Sequence, residues 1–235
     1  MRIQLAGALL LAACSSTPKY VIDDALLAQI PINEKQGVLN AQNDANVAKE
    51  EMRKAESDLI SVNRDLDLAD NEYKQTKLAL DSAEINQKGA QGDLNRKATA
   101  DRDVQIAKMG KRSADAKVSY FEKKKKWIKA DRDAAEAHHT AALAAIELEK
   151  ARIAVAHNMK PSEDFSVANF ERESFDKQRK ASEARVDVDK LKIEMEDLER
   201  KWRSMEGEYQ GAKGGQQGQQ GQQYQQQPPP QQYQQ

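Results

Sequence analysis

Proline is absent from residues 32–160 and again from 162–227, and between 38 and 206 the only glycines are Gly89, Gly92 and Gly110. Proline removes a helical donor and clashes with the preceding turn, and glycine costs about 1 kcal/mol in a helix interior. Alanine, lysine, glutamate, arginine and leucine fill these tracts. These side chains lose little freedom on entering a helix, so the chain is predicted to form helices much longer than usual.

The apolar spacing predicts how those helices pack. A first seam runs Val38, Ala41, Ala45, Ala48, Met52, Ala55, Leu59, Val62, Leu66, Ala69, Tyr73, Thr76, Leu80, Ala83. Its steps alternate three and four, the signature of a coiled coil. A second seam runs Ile106, Met109, Ser113, Ala116, Tyr120, Lys123, Trp127, Ala130, Ala134, Ala137, Ala141, Ala144, Leu148, Ala151, Val155. A third runs Val167, Phe170, Ser174, Lys177, Ala181, Ala184, Val188, Leu191, Met195, Leu198, Trp202, Met205, Tyr209. The breaks fall at Gly89–Asp93, a helix stop with a new N-cap, and at Asn158–Ser162, which contains Pro161.

Facing residues of an antiparallel pair have a constant sum of residue numbers. The first two seams meet at a sum of 182, opposing Tyr73 to Met109 and Leu66 to Ala116. The second and third meet at 325, opposing Val155 to Phe170 and Trp127 to Leu198. The first midpoint, 91, falls inside the Gly89–Asp93 break, and the second falls between Ser162 and Glu163, just past Pro161. The expected fold is therefore all-α: a long antiparallel helical hairpin closed into a three-helix coiled coil, with helices at about 34–88, 93–158 and 163–208. Alanine-rich layers such as Ala41, Ala141 and Ala184 would alternate with layers holding larger side chains. A 50-residue helix would extend ~75 Å, with 67–115 projecting as a two-helix tip beyond the third helix. The rival is one continuous helix through Ala90 and Leu94, at a cost of roughly 2 kcal/mol for its two glycines.

Composition excludes other classes. Aromatics are 5% of the chain, charged residues 32%, and the 37 basic and 38 acidic residues balance. With a mean hydropathy of -0.87, a large globular core is not expected, and neither is a global attraction to nucleic acid. Nothing after residue 13 is long and apolar enough to span a membrane. Residues 14–33 read as a tether, with an amphipathic turn over Asp23–Ile30 and a capping pair Asn33/Gln36 before the body at 34–209. Residues 214–235 comprise 13 Gln, 4 Gly, 3 Pro and 2 Tyr, so the tail 210–235 is expected to be disordered.

The start of the chain carries the clearest functional motif. Arg2 precedes the apolar run Ile3–Ala13, and Cys14 is the only cysteine. One cation, a short apolar run and small residues read as a secretory signal at 1–13. Leu11-Ala12-Ala13-Cys14 resembles the lipobox of bacterial lipoproteins, in which cleavage precedes a cysteine that carries the lipid. The resemblance implies lipidation of Cys14 and anchoring by acyl chains, at ~0.8 kcal/mol per buried methylene. In that family an aspartate after the cysteine tends to retain the protein in the inner membrane. Ser15 stands there in this chain, which implies the outer membrane, facing the periplasm of a Gram-negative cell.

Other candidate sites give weaker signals. His138 and His139 point about 100° apart on a helix, and His157 sits near a helix end, so no metal or cofactor is expected. Asp101, Asp103 and Asp131 read as solvated helix faces. Lys123–Lys126 is a basic run, read as solvated surface, and Trp127 and Trp202 occupy seam positions. No nucleophile elbow or phosphate loop is present, so an enzyme is not expected. The expected role is an envelope lipoprotein acting as a spacer or scaffold. Its partners would be the membrane through Cys14, envelope proteins or peptidoglycan, and further copies of itself. The plan resembles that of the murein lipoprotein, lipid anchor then coiled coil. That family ends in a lysine joined to peptidoglycan, whereas this sequence ends Gln234-Gln235. Two alternatives follow from the helical hairpin. One is an accessory or adaptor component of an envelope transport or motility assembly, docking through the tip at 87–103. The other is a periplasmic holdase chaperone.

Overall fold

The computed structural model describes residues 17–225, with side chains to 214. Three long helices account for most of it: α1 (Gln36–Gly89), α2 (Leu94–Ala156) and α3 (Val167–Gln225). They pack into an all-α bundle, and the chain turns at 90–93, so the continuous-helix alternative does not apply. In that turn Asp93 Oδ1 accepts from the amides of Asn95 (2.9 Å) and Arg96 (3.2 Å), the N-cap read from the sequence. Among the described residues no glycine adopts positive φ, and a Cβ at Gly89 or Gly92 would meet nothing within 4 Å.

The second break depends on Asn158 rather than Pro161 alone. Asn158 takes φ 54°, its amide bonds to Val155 O, and the Met159 amide bonds to Ala154 O at 2.8 Å. This is the paired closure of a helix C-terminus by a left-handed residue, a conformation asparagine tolerates. At the first helix start the capping pair does not form. A single-turn helix, Ile32–Lys35, runs into α1, and Gln36 Nε2 donates to Asn40 Oδ1 instead.

α3 runs to Gln225, past the end expected near 208, and its last stretch, 215–225, is consistent with the disordered tail read from the sequence, since Gly214, Gly215, Gly218 and Gly221 each cost about 1 kcal/mol in a helix. Residues 226–235, the remainder of the expected tail, lie outside the described residues, as does the signal at 1–13.

The chain divides into two compact units. One holds the described residues 17–56 and 130–187. Its core joins Leu27 and Ile30 with Val38, Ala41 and Ala45 of α1 and Ala142, Ile146 and Ile153 of α2. A neighbouring cluster joins Ile22, Ala151, Ala154 and Phe170. The other unit holds described residues 57–129 and 188–225. Val62 and Ala69 of α1, Val104, Ser113 and Tyr120 of α2, and Val188 and Met195 of α3 are buried there.

All residues of the first and third seams are buried or half-buried, and in the second only Val155 is exposed. α2 also buries a second stripe, with Ala114, Ile128, Ala135 and Ala142 seven or fourteen residues apart. The middle helix has a neighbour on each side, so its apolar face must be wider than one seam.

The register between α2 and α3 departs from the constant sum. Near the loop Phe170 packs on Ala151 and Ala154, close to expectation. In the second unit Ser113 donates to Glu206 at 2.5 Å, where the constant sum would have opposed Ser113 to Ala212. Tyr209 lies against Gly110 rather than Ala116: a Cβ on Gly110 would come within 2.9 Å of the Tyr209 ring. Gly110 thus provides the space that seats Tyr209 on the α2 backbone. α3 consequently covers more of α2 than the two-helix tip at 67–115 allowed.

Candidate functional site

The residues read as a tether are part of the fold. Asp23 Oδ1 accepts from the Ala25 amide at 2.9 Å and starts a single-turn helix, Asp24–Leu27. This turn points Ile22, Leu27 and Ile30 inward, at 1%, 4% and 7% exposure. Burying such a side chain stabilises by about 1.5–3 kcal/mol, which offsets part of the cost of ordering the segment, about 1–2 kcal/mol per residue.

Polar groups fix this strap in place. Glu147 and Lys150 sit on one face of α2, three residues apart, and both are 7% exposed. Glu147 Oε2 accepts the buried amide of Ile22 at 2.7 Å. Its other oxygen takes Lys150 Nζ at 2.8 Å, and Lys150 Nζ also reaches Asp24 Oδ1 at 2.6 Å. Burial works against the Lys150 ammonium most strongly. The hydrogen bonds to Asp24 and Glu147, with their charges, outweigh it and hold its pKa above the usual lysine value. On α3, Glu173 accepts the amides of Lys19 at 2.8 Å and Tyr20 at 3.3 Å, and the Tyr20 ring lies 5.5 Å from that of Phe170. A backbone segment held by two carboxylates and one buried ion pair is a docking site for this chain's own N-terminal part.

The other candidates distribute as follows. Cys14 lies outside the described residues. At the turn of 87–103, Gln87 Nε2 donates to Asp101 at 2.6 Å, while Leu94 and Ile85 are 87% and 67% exposed. The basic run is split. Lys123 pairs with Glu194 at 2.6 Å and draws that carboxyl below its usual range, first by hydrogen bonding and then by charge. Lys124 lies over the rings of Tyr120 and Phe121, and Lys125 and Lys126 are exposed. Trp202 stacks on Tyr120 at 5.5 Å and faces Lys117 and Arg203. The indole nitrogens of Trp127 and Trp202 are buried without a hydrogen-bond partner among the described residues, which fits packing positions.

His138 approaches Glu51 at 3.6 Å, beside a cleft of about 360 Å³ that Ala134, Ala135 and Ala181 leave open. His157 meets Glu34 at 2.8 Å. Asp131 pairs with Arg185 at 3.0 Å. Among the described residues no three His, Cys, Asp or Glu side chains are grouped to hold a metal ion, and no helix is long and apolar enough to cross a membrane.

Sequence reasoning missed Ile22, Glu147, Lys150, Glu173 and Gly110. Two signals were present. Gly110 interrupts an otherwise glycine-free helix, and Glu147, Glu149, Lys150 and Arg152 interrupt the apolar run from Ala141 to Ala156, which does not by itself single out the two that are buried. Comparison with protein-family models, with curated proteins and with solved structures finds no match.

Proposed function

We propose that this chain is an envelope lipoprotein, joined to the outer membrane through acyl chains on Cys14, whose helical bundle acts in the periplasm as a spacer or scaffold. The observation that carries the reading is the Leu11–Cys14 motif behind a short apolar run, immediately ahead of an all-α bundle. Acyl chains on Cys14 would supply membrane attachment. The bundle itself offers long faces of charged and small residues, suited to holding partners apart or together, and no catalytic role is part of this reading. Peptidoglycan, envelope proteins or further copies of the chain are the proposed partners.

The test is metabolic labelling with radioactive palmitate in a Gram-negative host. Wild-type chain takes up label and fractionates with the outer membrane, and Cys14→Ser takes up none. Equal labelling of the two, or none in either, contradicts the reading.

A second reading, an adaptor docking through 87–103, is favoured by one observation. Leu94 and Ile85 flank that turn with most of their surface exposed, and apolar side chains at such positions suit a partner contact. Crosslinking from position 94 in cells recovers a specific envelope protein on this reading, and only peptidoglycan or the chain itself on the first.

A further inference from the structure

We infer that the docked N-terminal strap holds the α2–α3 turn, residues 157–166, against the surface of a lipid bilayer. The inference rests on the anchoring of Cys14 proposed above, and deepens it by assigning the face that meets the membrane. The Lys19 amide is bonded to Glu173, and Ile22 is sealed into the bundle by Glu147. Only residues 15–18 therefore separate Cys14 from the first fixed residue. Five Cα steps span at most ~18 Å. A segment free up to Gln36 would instead behave as a coil with an end-to-end distance of ~25 Å and a maximum near ~80 Å. The strap replaces a slack leash with a short one.

Where that leash leaves the bundle decides which surface it presents. Lys19 and Ile22 share a cleft with Pro161 and Phe165, so the acylated end emerges beside the α2–α3 turn. The turn suits a headgroup layer. Lys160 and Lys19 are exposed, as are Glu163 and Asp164, so the turn carries no net basic charge, and Phe165 is half-buried beside Lys19. A partly covered aromatic ring suits the interfacial region of a bilayer, and the short leash rather than charge selects this face.

The test uses the full lipidated chain in phosphatidylethanolamine–phosphatidylglycerol vesicles doped with lipid spin-labelled at the headgroup. A fluorophore is placed at Lys160→Cys or, separately, at Glu183→Cys, ~24 Å along α3 from its start. Intact mass first establishes the lipid on Cys14. Quenching several-fold stronger at 160 than at 183 is expected. Ile22→Asp, which puts a charge into the sealed site, removes the difference while the lipid mass and helical content stay. A Gly-Ser insert after Ser16 gives the same trend without touching the core. Equal quenching at both positions of the lipidated wild type, or an unchanged ratio in both the Ile22→Asp and insert variants, overturns this inference and leaves the anchor standing. A chain with an unmodified Cys14 overturns both.

Discussion

Replacing Lys150 with methionine keeps its stem in place and deletes the ammonium. Glu147 is then a carboxylate at 7% exposure left with the Ile22 amide at 2.7 Å as its partner among the described residues. Breaking a buried pair by removing one member costs about 3–5 kcal/mol, because the other charge stays buried and uncompensated. Asp24 is largely solvent-exposed on its side chain, at 83%, so its loss of a partner adds little. Lys150→Met is therefore expected to destabilise by about 3 kcal/mol. Glu147→Gln in the same chain removes the stranded charge while its amide oxygen can still accept from Ile22. The double variant should return to within about 1 kcal/mol of wild type, a recovery of about 2 kcal/mol. Urea denaturation followed by helical circular dichroism reports the total, and hydrogen exchange at the Ile22 amide reports the strap alone. A Lys150→Met cost below about 1 kcal/mol with no recovery in the double variant would refute the buried network as the latch.

Further predictions follow from the second unit and the turn. Gly110→Ala gains about 1 kcal/mol of helix propensity but forces a methyl against the Tyr209 ring at 2.9 Å, so it lowers the melting temperature. In a Tyr209→Ala background the same change raises it. Glu194 is held below its usual pKa by Lys123. For Glu206, burial acts upward, but hydrogen bonds from Gln210 and Ser113 with nearby lysine charge prevail and lower it. A depressed carboxylate stabilises above its unfolded pKa and loses that contribution as pH falls through the folded value. Thermal stability should therefore drop below the ordinary glutamate range, with a shallower drop in Glu206→Gln. The raised Lys150 contributes below the usual lysine pKa and is lost only as pH rises through its higher folded value. An alkaline titration should therefore release the strap, seen as faster exchange at Ile22. Leu94→Ser, at a position 87% exposed, should change stability by less than about 0.5 kcal/mol in a denaturant melt.

The helices and their seams were legible because a seven-residue repeat leaves a periodic trace in one strand of text. Every residue from Val38 to Ala83 in the first seam avoids full exposure, and the turns fall where glycine and asparagine cluster. The second stripe on α2 was obscured because alanine there reads equally as helix former and as core. The register was misjudged for a local reason. The constant-sum rule treats the helices as uniform rods, and the Gly110–Tyr209 contact lets one pair approach more closely. The strap was least legible. Glu147 recognises a backbone amide 125 residues away, and an amide looks the same at every residue. Of the candidate sites, the lipidation motif was readable only as a motif, and the docking site beside it appears only once α2 and α3 are in place.

The N-terminal segment from Lys19 to Ile30 is part of the bundle rather than a loose leash. Spin labels at Val21, 65% exposed, and at Arg172, on the neighbouring face of α3, measure this directly by pulsed electron resonance in the full chain. A single short, narrow distance that broadens in Ile22→Asp is predicted. A broad distribution already present in the wild type, indistinguishable from that of Ile22→Asp, would contradict it.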